Sequence, residues 1–273
     1  MGIVFGCIVP HPPLLVPDVG RGQERAISAT VRAMERLTDK LAEYKPQAIL
    51  IISPHGNYHP EAMGILTAKS SQGDMSRWGS GTPRHQFENE LSLVSLIEEE
   101  AKADRIPVKS IGERSYELDH GVMVPMHFFI REIKGIPMVP LTFSWLPLDR
   151  HFVFGKAIKR AVDRSQKRVA VVASGDLSHR LLPGAPSGYD PMGKVFDEKL
   201  VAALSRLDVA AVLGLDENLF ERAGECGLRS IVILLGALDG LEVKPEILAY
   251  EGPFGVGYLV AAFEVLSSLV SRE

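Results

Sequence analysis

The chain has 273 residues, enough for one large domain or two small ones around a substantial core. Hydrophobic residues make up 46% and charged residues 23%, close to the averages for folded proteins, which excludes a disordered, collagen-like or coiled-coil chain. Lys plus Arg is 30 against 34 for Asp plus Glu, a net charge of -4, so the balance favours neither nucleic acid nor an anionic membrane, and a small-molecule ligand is expected.

The first apolar run, Ile3 to Val9, has strand length and stops at Pro10-His11-Pro12-Pro13. It has no basic flank and is cut by prolines, so neither a signal peptide nor a membrane span is expected there, and no later apolar run reaches about 18 residues. Cys7 reads as a small packed hydrophobe; with Cys226 the only other cysteine, a disulfide framework is excluded and a reducing, cytoplasmic setting is expected. Ile27, Val31, Met34, Leu37 and Leu41 then recur at helical spacing. A second strand, Ala48 to Ile52, runs into Ser53-Pro54-His55-Gly56.

Ser70 to Pro83, rich in Gly and Ser, reads as a surface loop, and Phe87, Leu91, Val94 and Ile97 as one helix face. Asp119 is an N-cap candidate for a helix over Gly121 to Glu132, with His120 at its start. Met138 to Phe143 is a third strand, followed by a helix from an Asp149 N-cap to about Asp163. The fourth strand, Val169 to Ala173, leads into Ser174-Gly175-Asp176-Leu177-Ser178-His179. Gly227 to Leu238 reads as a helix, and Glu242 to Val265 as two strands with Gly252 and Pro253 between them. No repeat or linker divides the chain, so one α/β domain over residues 1–273 is expected, with a mostly parallel central sheet flanked by helices.

In open α/β sheets ligands bind at the carboxyl ends of the strands, and here three strand ends each deliver a histidine: His11, His55 and His179. One histidine after a strand is commonly an ordinary loop residue. Three together make a candidate constellation, because neutral imidazole is both the commonest metal ligand and a general acid or base near neutral pH. Two histidines and a carboxylate would hold Fe(II) on one face and leave the other open. The third ligand stays undecided between Glu225, which could instead favour the positive end of its helix, Cys226, whose thiolate favours zinc or a redox role, and Glu251 at a strand end. His120 could face the same crevice. His127 reads as a packed histidine, and His59, His85 and His151 as surface residues. The dinucleotide, P-loop and nucleophile-elbow fingerprints are absent, as is any CxxC pair. Gly255 and Gly257 read as a close backbone approach within a strand region.

Taken in order, Val9-Pro10-His11-Pro12-Pro13, Ser53-Pro54-His55-Gly56, Leu118-Asp119-His120-Gly121, Ser174 to His179 and Glu225-Cys226-Gly227 resemble the class III extradiol dioxygenase superfamily with the LigB-like fold. Glu225 to Arg229 and Tyr250 to Tyr258 look most like the LigB-type domain associated with AMMECR1 and Memo proteins. The resemblance implies an Fe(II)-dependent dioxygenase opening the ring of a catechol-type diol with O2, with His11, His55 and Glu225 matching the iron ligands. By the same resemblance His179 matches the catalytic acid or base, His120 lines the substrate pocket, and a homo-oligomer or a small second subunit is a family arrangement. Cys226 departs from the dioxygenase pattern toward Memo proteins. The alternative it implies is a metal-binding protein, of zinc or copper, with a redox or partner-binding role and no ring cleavage.

Overall fold

The computed structural model describes residues 1–57, 59–112 and 115–266. Along the chain come β1 (Gly2–Val9), α1 (Pro17–Gly20), α2 (Ser28–Glu43), β2 (Ala48–Ser53), β3 (Met63–Leu66), β4 (Ser70–Met75) and β5 (Ser80–Glu88). Then follow α3 (Leu91–Ala103), β6 (Val108–Ile111), β7 (Ser115–Glu117), α4 (His120–Phe129), β8 (Met138–Thr142), α5 (Leu148–Ser165) and β9 (Arg168–Ser174). The last elements are α6 (Pro191–Leu204), α7 (Val209–Leu213), α8 (Glu217–Ala223), α9 (Leu228–Leu238), β10 (Val243–Glu251) and β11 (Tyr258–Val265).

Eight strands form one sheet in the order β10-β11-β1-β9-β2-β8-β3-β6, and β5-β4-β7 form a smaller one. The four apolar runs of the sequence, β1, β9, β2 and β8, lie side by side and parallel at its centre. Such strands need cover on both faces, which is why they read as unbroken apolar runs rather than as alternating ones. Ala48, Leu50, Ile52, Val169, Val171 and Ala173 enter the core beneath α3, α5, α6 and α9. Their alternates Ile49, Ile51, Ala170 and Val172 enter the core beneath α2 and α4. On the first face α5 and α9 touch through backbone: a Cβ on Gly155 would stand 2.1 Å from the Ile233 carbonyl oxygen, and one on Gly236 would stand 2.1 Å from that of Phe152.

Several sequence expectations need correction. Ser70 to Pro83 is not a loop but most of a hairpin, β4 and β5 joined through a 3-10 turn at Ser76–Trp78. Its Ser and Gly content hid an alternation in which Ser71, Gly73 and Met75 face inward. Phe87 belongs to β5, so the helical pattern starts at Leu91. Pro147, not Asp149, is the N-cap of α5; Asp149 stands in the first turn, where a carboxylate suits the helix dipole. His151 is fully buried, its two ring nitrogens 3.0 Å from the Pro147 and 3.1 Å from the Ser144 carbonyl oxygens. Asp119 does cap α4, accepting from the Gly121 N–H at 2.7 Å. Among the described residues no helix is long and apolar enough to cross a membrane.

Candidate metal centre

Because β1, β9 and β2 are neighbours, the loops at their carboxyl ends meet, and they bring His11, the segment Asp176 to His179, and His55 into one crevice. His11 Nε2 and His55 Nε2 face each other at 3.0 Å. The outward orientation of His11 is set at its other nitrogen. Ser174 Oγ donates its one proton to the Gly121 carbonyl at 2.6 Å, so at 2.9 Å from His11 it accepts, and Nδ1 carries the ring proton. That leaves the Nε2 lone pair free for a ligand.

Cys226 reaches the same point through two glycines. A Cβ on Gly175 would fall 2.2 Å from Gly227 Cα, so only glycine lets the start of α9 lie against the end of β9. The contact pairs Cys226 N–H with the Asp176 carbonyl at 3.2 Å and Asp176 N–H with Cys226 Sγ at 3.3 Å, leaving Sγ 3.6 Å from His11 Nε2. Among the described residues, the ligand atoms of His11, His55 and Cys226 form the group lying within 4.8 Å of one another.

The carboxylates divide differently from the expectation. Glu225 is turned away: its Oε2 accepts from the Leu228 N–H at 2.6 Å, serving the start of α9, and the group of ligand atoms does not include it. Glu251 accepts from Thr30 N–H at 2.7 Å and Thr30 Oγ1 at 2.6 Å, far along the sheet. The carboxylate that lies against His11 is Asp176, with Oδ1 accepting the His11 N–H at 3.0 Å and Oδ2 3.9 Å from His11 Nε2, while the charge of Asp119 acts on His55. It sits inside the motif that carries His179, three residues before it, and is not among the third ligands expected from the sequence.

His120 stacks on His55 with ring centroids 4.2 Å apart and meets His11 edge-on at 5.2 Å. His179 is half-buried, and among the described residues its Nδ1 has no hydrogen-bond partner. All four imidazoles are held neutral. Burial and then the neighbouring histidines push His11 well below its usual value; partial desolvation also lowers His55, although its outer edge is exposed, and His179; His120 falls to about 4. Neutral imidazoles present lone pairs near neutral pH.

The donor set fits a transition-metal ion. A tetrahedral ion with bonds of about 2.0 Å to nitrogen and about 2.3 Å to sulfur sets its donors ~3.3 Å (N to N) and ~3.6 Å (N to S) apart. The two separations from His11 are 3.0 Å to His55 and 3.6 Å to Cys226, and the third, between His55 and Cys226, lies within 4.8 Å. Without a cation the thiol is held protonated, because burial raises Cys226 well above its usual value; a coordinating metal removes that proton.

The buried acids give the metal-free protein an unusual pH dependence. Burial raises Asp176 and Glu225 to about 7 and Asp197 to about 6, although Asp197 accepts from Tyr250 Oη at 2.6 Å and from Ser178 N–H at 2.8 Å. These three acids keep protons in the folded state that the unfolded chain has released, a contribution to stability that is lost as pH rises through about 6 to 7, but His11, His55, His120, His127, His151 and His179 are all held below their usual value and bind fewer protons folded than unfolded, which lowers stability on the acid side. Substitution isolates the share of one acid: in urea melts of apo protein the midpoint of Asp197→Asn relative to native should rise from pH 5 to pH 8, because the amide never has to ionise in its buried position. A difference between the two proteins that does not change with pH would contradict this assignment.

The residues 6–261 match the family model described as the catalytic LigB subunit of aromatic ring-opening dioxygenase. A Clostridium acetobutylicum protein is 35% identical over 272 residues, which cover 97% of this chain but only 58% of that protein's length. The 2-aminophenol 1,6-dioxygenase beta subunit of a Pseudomonas species is 29% identical over 297 residues, covering 99% of this chain and 96% of the subunit. A MEMO1 family protein of Caldivirga maquilingensis is 29% identical over 137 residues, 50% of this chain and 43% of that one. The crystal structure of an uncharacterized Escherichia coli protein superposes with a TM-score of 0.64 at 20% identity, covering 95% of this chain and 99% of that one, a likeness of fold.

Proposed function

The chain belongs to the LigB family of aromatic ring-opening dioxygenase catalytic subunits, and on that premise we propose that it is an Fe(II)-dependent dioxygenase acting on an aromatic diol. The observation that carries this reading is the convergence of four neutral imidazoles on one crevice, with Cys226 and Asp176 beside His11. His11, His55 and Cys226 would hold the ion, with Asp176 as the carboxylate on its flank. Fe(II) bound there would supply a Lewis acid for the diol oxygens and a site at which dioxygen meets the ring. His179, held neutral beside His11 and His55, would accept the hydroxyl proton that the diol gives up and could return it later. His120 and Trp78, whose rings are 4.7 Å apart, wall the space where a flat ring would lie. A second subunit is part of the proposal, supported by the match to a dioxygenase beta subunit.

Cys226 favours a second reading. A thiolate in place of a second carboxylate suits zinc or Cu(I) better than dioxygen chemistry, and the similarity to a MEMO1 family protein points the same way, toward a metal-binding protein without ring cleavage. Oxygen uptake separates the two. Protein loaded anaerobically with Fe(II) is mixed with catechol, 3,4-dihydroxybenzoate, gallate or 2-aminophenol, and iron-dependent uptake with a coloured product is expected from at least one. Tight metal binding with no uptake across the panel would decide for the second reading.

A further inference from the structure

Behind His179, the segment Leu177 to Arg180 is held by one face of α6. Gly193 and Asp197 stand four residues apart on that helix and so lie one above the other. A Cβ on Gly193 would fall 2.3 Å from Ser178 Oγ, and Asp197 Oδ1 accepts the Ser178 N–H at 2.8 Å. Ser178 Oγ in turn donates to the Ala223 carbonyl at 2.9 Å and accepts the Arg180 N–H at 3.0 Å. The second oxygen of Asp197 accepts from Tyr250 Oη on β10 at 2.6 Å. Gly257 makes room for this acid, since a Cβ there would stand 2.1 Å from Asp197 Oδ2. The same glycine donates its N–H to the Ser178 carbonyl at 2.8 Å and accepts the Leu177 N–H at 2.8 Å. Asp197 is fully buried, and burial raises it to about 6, so packing alone does not account for an acid at this position.

We propose that Asp197 is a positioning residue of the crevice, which through the Ser178 N–H fixes the main chain from which the His179 imidazole is aimed at the substrate hydroxyl. The inference rests on the reading of His179 as the group that moves the diol proton, and adds to it the residue that keeps that group in place. Ser178 is the chain neighbour of His179, so a shift of its peptide unit turns the imidazole with it. A group that moves a proton must stay within about 0.5 Å of its working position, and a backbone N–H bonded to a carboxylate is held more firmly than one bonded to a neutral oxygen. The two oxygens of Asp197 bond to Ser178 and Tyr250, and the group of metal-ligand atoms does not include it. Its substitution therefore acts on His179 and leaves the ion in place.

The test reads the imidazole itself. In NMR spectra of histidine-labelled protein loaded with redox-inert Zn(II), the ring signal lost in His179→Ala identifies His179. In Asp197→Ala that signal should broaden or split while those of His11, His55 and His120 keep their positions. Asp197→Asn should restore it, because the amide oxygen can accept the Ser178 N–H and the amide nitrogen can donate to Tyr250 Oη. The rate is read on Fe(II)-loaded protein with whichever of catechol, 3,4-dihydroxybenzoate, gallate and 2-aminophenol supports oxygen uptake. Asp197→Ala should lower kcat about 10–100-fold, the scale of a misplacement of roughly 1 Å, with KM and metal affinity within about twofold of native. Asp197→Asn should recover most of that loss. An unchanged His179 signal in Asp197→Ala, a loss of rate as large with Asn as with Ala, or a parallel loss of metal would overturn the inference. Asp197→Leu, which fills the same space without an acceptor, is read in the same way, and failure of both Ala and Leu variants to fold would assign Asp197 to the fold and overturn the inference as well. Its failure is distinguishable from that of the dioxygenase reading. Uptake by native protein with an undisturbed His179 signal in Asp197→Ala removes only the positioning role, whereas a disturbed signal in Asp197→Ala with no uptake by native protein removes only ring cleavage.

Discussion

Protein carrying His11→Ala or His55→Ala is expected to lose its metal ion. Each substitution deletes one of the two Nε2 donors that face each other at 3.0 Å, leaving a single imidazole with Cys226 and Asp176 to hold a borderline cation. Losing a hydrogen-bond partner behind a metal ligand typically costs 10–100-fold in affinity, so losing the ligand itself should cost more than about 100-fold. Anaerobic competition with a chelator measures this directly, and urea melting checks that the variants fold. The same measurement separates the two acids. Glu225→Gln should keep the metal, because its carboxylate serves the Leu228 N–H and an amide oxygen can accept that bond. Asp176→Asn should weaken it. A His11→Ala protein that holds Fe(II) or Zn(II) within a fewfold of the native affinity, or a Glu225→Gln protein that releases it, would move the centre elsewhere.

The contrast between Glu225 and Asp176 shows where the sequence was legible. Strands buried on both faces leave an unbroken apolar run, so β1, β2, β8 and β9 could be read directly, and the histidines after three of them follow from the convergence of parallel strand ends. What periodicity does not carry is the direction of a side chain inside a loop. Asp176 and Glu225 each stand beside a strand end or helix start, and only the contact of Gly175 with Gly227 decides that the first faces His11 while the second caps α9. The smaller sheet was hidden for a related reason. β4 is Ser-Ser-Gln-Gly-Asp-Met, whose inward positions are a buried Ser71 and a Gly73 packed against Met123 rather than large apolar residues, so its alternation has little hydrophobic contrast. His151 belongs to the same case, because a polar residue on the inner face of α5 reads as exposed until the carbonyls that hold it are in place.

His179→Ala should leave metal binding within about twofold of native yet lower turnover by roughly 10²–10⁴-fold, the usual contribution of a positioned general base. The main chain of this residue is fixed from three sides: His179 N–H donates to the Ala223 carbonyl at 3.1 Å, Leu177 N–H to Gly257 O at 2.8 Å, and Ser178 N–H to Asp197 Oδ1 at 2.8 Å. Truncating the imidazole disturbs none of these bonds, so a loss of rate cannot be laid to a displaced loop. Among the described residues the ring has no hydrogen-bond partner at its buried Nδ1, and a buried polar nitrogen without one costs stability. His179→Ala should therefore fold at least as stably as the native protein while losing rate, the pattern of a group kept for chemistry rather than for structure. Because His179 is held below the usual histidine range, the native rate should rise as pH climbs through that lowered value and then level off; the variant should lose this rise. A variant with native turnover, or one that loses metal in parallel with rate, would show that the residue serves the ion and not the proton.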